Sequence, residues 1–395
     1  MEPYTEILIQ PLSTSVQKGH YVISYRKKYY EVSSSIVDLI MELQKQSSKE
    51  EAIKSYGGKN KKYTYVEIEL VINKFIDPIL IDKKDKKDTF LYEKELLPAS
   101  LIDKFSNQYC FLFKKQYMYF FFLLMLVGDL CFFITTENLL SFNKFANIYT
   151  VVGLFLFTIA SSLIHELGHS SACKYFGVQH GGIGIGLYLN FPVLYTDVTE
   201  IWTLNRKQRL IVNIAGVYFQ AICLILILIL FFITHNEIFR YLILTMNLGF
   251  IIVLNPFFKF DGYWIISDLL GVPNLRNRSK ELFSYLYKYL RRQPVSKRPY
   301  LLGINDFSKC CFLLYSILAN IFMAIYFLYI IPKFLYYFFD SFPTQVYKLT
   351  IYLSSNETPP FSLLHNIGMQ LMFFILIGYF LVRIIQVVVR NVQKK

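Results

Sequence analysis

Residues 161–170 read SSLIHELGHS, and within them His165, Glu166 and His169 form the pattern HExxH. On an α-helix two residues four apart share a face. Both imidazoles can then reach one Zn2+ ion while Glu166 stands beside a bound water as general base. A catalytic zinc site also needs a third protein ligand and an open position for water. Residues 255–264, NPFFKFDGYW, offer that ligand. Pro256 interrupts a helix and Gly262 follows Asp261, so the carboxylate stands where irregular backbone can line a cavity. Metal-assisted hydrolysis is the chemistry such a set can do. A histidine-rich di-iron centre is set aside, because six scattered His cannot supply its ligands. A glycine phosphate cradle is set aside as well, since no Lys-Ser or Lys-Thr follows the run HGGIGIGLYLN at 180–190.

The elements that must position these residues are apolar. The chain is 54% hydrophobic and 18% aromatic, with a mean hydropathy of +0.38, too apolar and too clustered for an ordinary soluble enzyme. A bilayer core of ~30 Å needs ~20 apolar residues per helical crossing. Such stretches lie near 117–136, 148–168, 210–234, 239–258, 310–336 and 363–386. HExxH therefore falls at the end of the second span and Asp261 just beyond the fourth. Charged side chains at membrane depth cost ~2.5–3.5 kcal/mol each on insertion scales, so a Glu flanked by two His calls for a compensating partner. A bound metal supplies one.

The net charge of +13 follows the same topology. Basic residues crowd the loops after the second span (Lys174, Arg206, Lys207, Arg209) and the fourth (Arg276, Arg278, Lys280, Arg291, Arg292, Lys297, Arg298). They also follow the sixth (Arg390, Lys394, Lys395), whereas the opposite loops carry chiefly Lys144 and Lys348. The positive-inside rule then gives about six spans with both termini cytosolic, and no nucleic-acid partner is expected. The opening residues MEPYTEILIQ lack a basic stretch followed by an apolar one, so no removable signal peptide is expected. The six cysteines form no CxxC pair and read as free thiols.

Residues 1–95 are rich in Lys, Glu, Ser and Tyr and read as a small soluble domain, with 96–116 as a linker and 117–395 as the membrane domain. The alternating YVISYRKKYY at 21–30 predicts a strand or hairpin. SSIVDLIMEL at 34–43 and YVEIELVINKF at 65–75 predict amphipathic helices. A hairpin followed by short helices suggests a winged-helix-like α+β arrangement. The lysine-rich run Lys83–Lys87 reads as a solvated linker. The fold class expected is thus mostly α, a polytopic membrane helical bundle with a small N-terminal α+β cytosolic domain.

Residues 160–177, 195–216 and 255–279 together resemble the site-2 protease family of intramembrane zinc metallopeptidases, which pair HExxH on one span with an NPxxxxDG-like motif on a later one. The similarity is closest to the branch of peptide zinc metalloproteases found beside secreted or modified peptides in bacteria, and it covers roughly 148–280. The resemblance implies that His165, His169 and Asp261 bind Zn2+ and that Glu166 activates water. It also implies a bacterial plasma-membrane location, a peptide or membrane-protein substrate, a role in maturing or exporting a ribosomally made peptide, and a peptide exporter as partner. Asn255 stands near the position where the family holds the substrate backbone. Many members have Gly-Pro and a nearby Asn in the third span, where this chain has Gly216, Val217 and Gln220. The N-terminal domain loosely resembles PqqD-like leader-peptide-binding domains. Two other readings stay open: regulated intramembrane proteolysis of a signalling protein, and an inactive peptide receptor or transporter component.

Weaker signals remain. The glycine run at 180–190 reads as an extended edge able to pair with a substrate strand or as a structural glycine-rich hairpin with no substrate role, and His180 as a loop histidine. Asp129, inside the first span, reads as a polar packing contact or an interface residue. Asp197 and Asp268 read as turn or cap residues, or as groups orienting metal ligands. Arg383 in the last span is placed to snorkel to headgroups.

Overall fold

The computed structural model describes residues 3–14, 19–26, 28–46, 48–60, 63–80, 90, 92–137, 139, 148–189, 191–294, 299–355 and 357–393. The predicted linker Lys83–Lys87, and the basic residues Lys144, Lys297, Arg298, Lys394 and Lys395, lie outside them. Strands β1 (Leu8–Pro11), β2 (His20–Tyr25) and β3 (Lys28–Ser33) come first, followed by α1 (Ser34–Lys45), α2 (Lys49–Lys59) and α3 (Tyr65–Val71). A π turn at Ile72–Ile76 leads into α4 (Asp77–Leu80). Then come β4 (Tyr92–Leu97), α5 (Ala99–Tyr109), α6 (Lys115–Thr135), α7 (Ile148–Tyr175), β5 (Ile183–Tyr188) and β6 (Phe191–Thr196). The remainder is helical: α8 (Arg206–Thr234), α9 (Glu237–Val253), α10 (Asp261–Leu270), α11 (Leu275–Leu290) and α12 (Asp306–Ile325). A π turn at Tyr326–Ile330 carries α12 into α13 (Ile331–Ser354), and α14 (Phe361–Gln393) follows.

The chain groups into two compact units. The first draws on residues 1–87, 198–211 and 264–316. Its antiparallel sheet has the order β1-β2-β3, with Leu8 opposite Ser24 and His20 opposite Ser33. The predicted hairpin and the first two predicted helices are present as β2–β3, α1 and α3, and α2 fills the gap between them. Helix starts follow their capping chemistry. Ser48 accepts from the Glu51 N–H, and Thr64 forms a reciprocal capping box with Glu67. Ile23, Ile40, Leu43, Ile72 and Ile76 close the core. At its margin Glu42 accepts hydrogen bonds from Lys59 (2.6 Å) and Ser55 (2.8 Å), and the Lys59 bond above all holds its carboxyl below the usual glutamate value.

The second unit draws on 88–197, 212–263 and 317–395. Among the described residues, five helical stretches are long and apolar enough to cross a membrane: Lys115–Thr135, Tyr149–Tyr175, Arg206–Thr234, Asp306–Ser354 and Ser362–Arg383. In α8 the apolar window is 61% buried, against 6–22% for the others, and α8 lies at the centre of a cluster with α6 and α9. Phe132 of α6 and Ile243, Met246 and Phe250 of α9 meet Leu224, Leu228 and Phe231 of α8. The stretch predicted as a fourth span, 239–258, is helical only to Val253. Glu237–Val253 has 17 residues, and Asn255 and Pro256 end it. The stretch predicted at 310–336 instead runs from Asp306 to Ser354, passing through Pro343.

Of the two readings of the glycine run, the free edge is overturned, and the structural hairpin agrees with the antiparallel pairing of β5 and β6. β5 is the central strand of a second antiparallel sheet, β4-β5-β6, with Tyr92 opposite Leu187 on one side and Ile183 opposite Thr196 on the other. Its glycines make room for aromatic rings: a Cβ on Gly184 would lie 2.7 Å from Tyr195, and one on Gly186 2.8 Å from Phe90. Those rings stack on each other at 4.6 Å. The stretch 96–116 carries α5 and a 3-10 turn at Cys110–Phe113. None of the six cysteines forms a disulfide.

Candidate metal centre

His165 and His169 occupy successive turns of α7, and both are buried. Asp261 reaches them from a different part of the chain. α9 stops at Val253, Asn255 accepts the Phe257 N–H through Oδ1 (2.8 Å), and Pro256 opens an irregular turn that ends at the first residue of α10. The Tyr188 hydroxyl of β5 accepts the Lys259 N–H (3.1 Å) and pins that turn. Gly262 is required here, because a Cβ would collide with the Leu254 carbonyl. In this way Asp261 Oδ2 comes to 2.9 Å from His165 Nε2 and 3.2 Å from His169 Nε2, while the two Nε2 atoms are 3.1 Å apart.

That near-equilateral triangle suits an ion. A tetrahedral centre with bonds of about 2.0–2.1 Å sets its ligand atoms ~3.3 Å apart. The protonation pattern points the same way. His169 Nδ1 lies 2.8 Å from the Val212 carbonyl and His165 Nδ1 lies 3.1 Å from Gln220 Oε1. Gln220 is oriented by its amide nitrogen, which donates to the Ser161 hydroxyl (2.8 Å) and carbonyl (3.3 Å), so Oε1 must face the imidazole. Both Nδ1 atoms are therefore the N–H donors, and in the neutral rings both Nε2 atoms are left as acceptors facing Asp261. Oδ2 is buried and accepts no hydrogen bond among the described residues. With neutral imidazoles the two Nε2 atoms and the carboxylate oxygen converge as three ligand atoms, and a 2-His-1-carboxylate set fits Zn2+. His165, His169 and Asp261 also form the group of described residues able to hold a metal.

Positioning comes from one face of α8. Val212, Gly216 and Gln220, four residues apart, present a carbonyl, a space and an amide at successive turns. A Cβ on Gly216 would overlap the His165 ring, and one on Gly168 of α7 would strike the Ala215 carbonyl, so both contacts depend on glycine. Glu166 is buried beside the histidines on α7, and its carbonyl accepts from Ser170 Oγ (3.1 Å). Sequence reasoning missed Ser161 and Val212, and named Gln220 without its contact to His165. The departure from the family pattern at Val217 and Gln220, next to the shared Gly216, was the one available signal, and Gln220 and Gly216 lie on the helix face that meets His165.

The other flagged residues have separate partners. Asp268 pairs with Arg209 (2.7 Å), both buried, within the first unit. The Asp197 carbonyl accepts the Gly181 N–H (2.7 Å). Asp129 accepts from the Asn247 side chain (2.9 Å), in agreement with the first of its two readings, a polar packing contact. His180 precedes β5, with Nε2 3.2 Å from Asp103 Oδ1. The same carboxylate meets Lys174 at 2.8 Å, and that hydrogen bond holds Asp103 below its ordinary value. Asn255 serves the turn before Asp261, and Arg383 donates to the Tyr379 hydroxyl (3.1 Å).

Over 196 residues the chain is 26% identical to a Bacillus subtilis (strain 168) protein named "Putative peptide zinc metalloprotease protein YydH", a match covering 48% of this chain and 77% of that protein. No family model and no solved structure matches the chain.

Proposed function

We propose that the chain is a membrane zinc endopeptidase of site-2 protease type, with His165, His169 and Asp261 as metal ligands and Glu166 as the catalytic acid–base. The observation that carries this reading is the convergence of two Nε2 lone pairs and a buried carboxylate oxygen at 2.9–3.2 Å, with both Nδ1 atoms committed elsewhere. The likeness to a protein named as a peptide zinc metalloprotease supports it.

When bound, Zn2+ supplies a Lewis acid that polarises the scissile carbonyl and lowers the pKa of water toward ~7. Glu166 accepts the proton of the attacking water and returns it to the leaving amine. Gln220 and Val212 keep both imidazoles in the Nδ1–H tautomer, which leaves Nε2 as the donor atom. Asn255 is assigned to the substrate backbone by resemblance alone. The substrate class is a peptide precursor or a membrane-spanning protein, and the N-terminal sheet and helices are its recognition part. The location proposed is the bacterial plasma membrane, with both termini cytosolic and a peptide exporter as partner. Co-expression with candidate peptide precursors, followed by mass spectrometry, tests the reading. New termini should form with wild type and be absent with Glu166→Gln, and equal cleavage by that variant would overturn it.

A further inference from the structure

Helix α11 is divided along its length. Leu275, Ser279 and Leu282 in its first half are buried in the first unit. Beyond them Phe283, Leu286, Tyr287 and Leu290 recur at i, i+3, i+4 and i+7, one face of a helix, yet they are 40%, 41%, 52% and 80% exposed. Exposed Lys280 and Arg291 flank this stripe, with the Arg291 guanidinium 4.6 Å from the centre of the Tyr287 ring. Exposed Lys288 and Arg292 add charge, and Glu281 is the one acid between 275 and 292. α11 has 16 residues and does not have the composition of a spanning helix.

Its place in the unit says what covers the stripe. The Arg278 guanidinium of α11 sits 4.3 Å from the centre of the Tyr300 ring, in the 3-10 turn Tyr300–Gly303. Three residues after that turn, at Asp306, the longest membrane-compatible helical stretch begins. An amphipathic helix with a cationic flank, packed on the turn that precedes a membrane-compatible helix, has the chemistry of an interfacial helix.

We infer that residues 283–292 lie in the membrane headgroup layer and bind anionic lipid. The four apolar side chains enter the acyl boundary, and Lys280, Arg291 and their neighbours contact lipid phosphates. The assignment stands independently of the peptidase reading.

The test uses the full chain in nanodiscs. Leu290→Trp adds one tryptophan to Trp202 and Trp264 at an exposed site, so folding is not at risk. In phosphatidylcholine discs containing phosphatidylglycerol, lipids brominated near the top of the acyl chain should quench the added emission roughly twofold or more. Quenching should fall in discs of phosphatidylcholine alone, and fall again when Lys280 and Arg291 are changed to Ser. An added emission that stays unquenched in both lipids would overturn the proposal. A blue-shifted but unquenched emission would overturn it in favour of a protein cover, such as a second copy. Equal quenching with and without anionic lipid would overturn the headgroup specificity.

Discussion

The His165 ring lies directly over Gly216, where a single added methyl group would overlap Cε1 and Nε2. The HExxH histidine on α7 thus owes its position to a missing side chain on α8.

Gly216→Ala should displace the ring and lower metal affinity about 10- to 100-fold, in the range found when outer-shell partners of a metal ligand are changed. Chelator competition measures this. Gly153→Ala on α7 is the control, since nothing lies within 4 Å of its added carbon, and it should leave affinity unchanged.

Gln220→Leu removes the acceptor that fixes the His165 tautomer and should weaken metal binding by a similar factor of about 10 to 100. Gln220→Glu keeps an acceptor facing Nδ1 and gives up the donor to Ser161, so it should lose less. Equal losses in the two variants would show that Gln220 acts through packing alone.

The HExxH helix and the NPxxxxDG turn were legible because spacing alone carries their chemistry: four residues put two imidazoles on one face, and Pro256 and Gly262 bracket a presented carboxylate. Gln220 was not legible, because it meets His165 across 55 residues of sequence and no local pattern links them. The glycine run at 180–190 misled because alternation reports an extended strand and says nothing of how many neighbours pair with it. Pairing with β4 on one side and β6 on the other makes β5 central, with Phe90 and Tyr195 over Gly186 and Gly184. The span near 239–258 was set by hydropathy, which does not register that the Asn255 side chain caps a turn.

Asp268→Ala should destabilise the first unit by about 3–5 kcal/mol, since it leaves the Arg209 guanidinium buried without its carboxylate. Arg209 keeps the Leu204 and Ser13 carbonyls, which favours the lower end of that range. The guanidinium lies 5.4 Å from the Trp202 ring centre, so tryptophan emission during denaturant titration follows the loss. Replacing the pair together, Arg209→Met with Asp268→Leu, should recover most of it.

Glu42 gives the first unit an acid limb. Its folded-state pKa is lowered by the Lys59 hydrogen bond, so its contribution is fully present above the ordinary glutamate value and disappears as pH falls through the folded-state value. Glu42→Gln should flatten the stability profile in that window and lower stability at neutral pH. A profile unchanged by the substitution would remove Glu42 as its cause.

The metal content of the purified chain tests the centre most directly. Elemental analysis should find one zinc per chain in wild type and in Glu166→Gln, and little in His169→Ala or Asp261→Ala. Zinc absent from wild type after growth with the metal, or retained in full by Asp261→Ala, would contradict the assignment of these three side chains as its ligands.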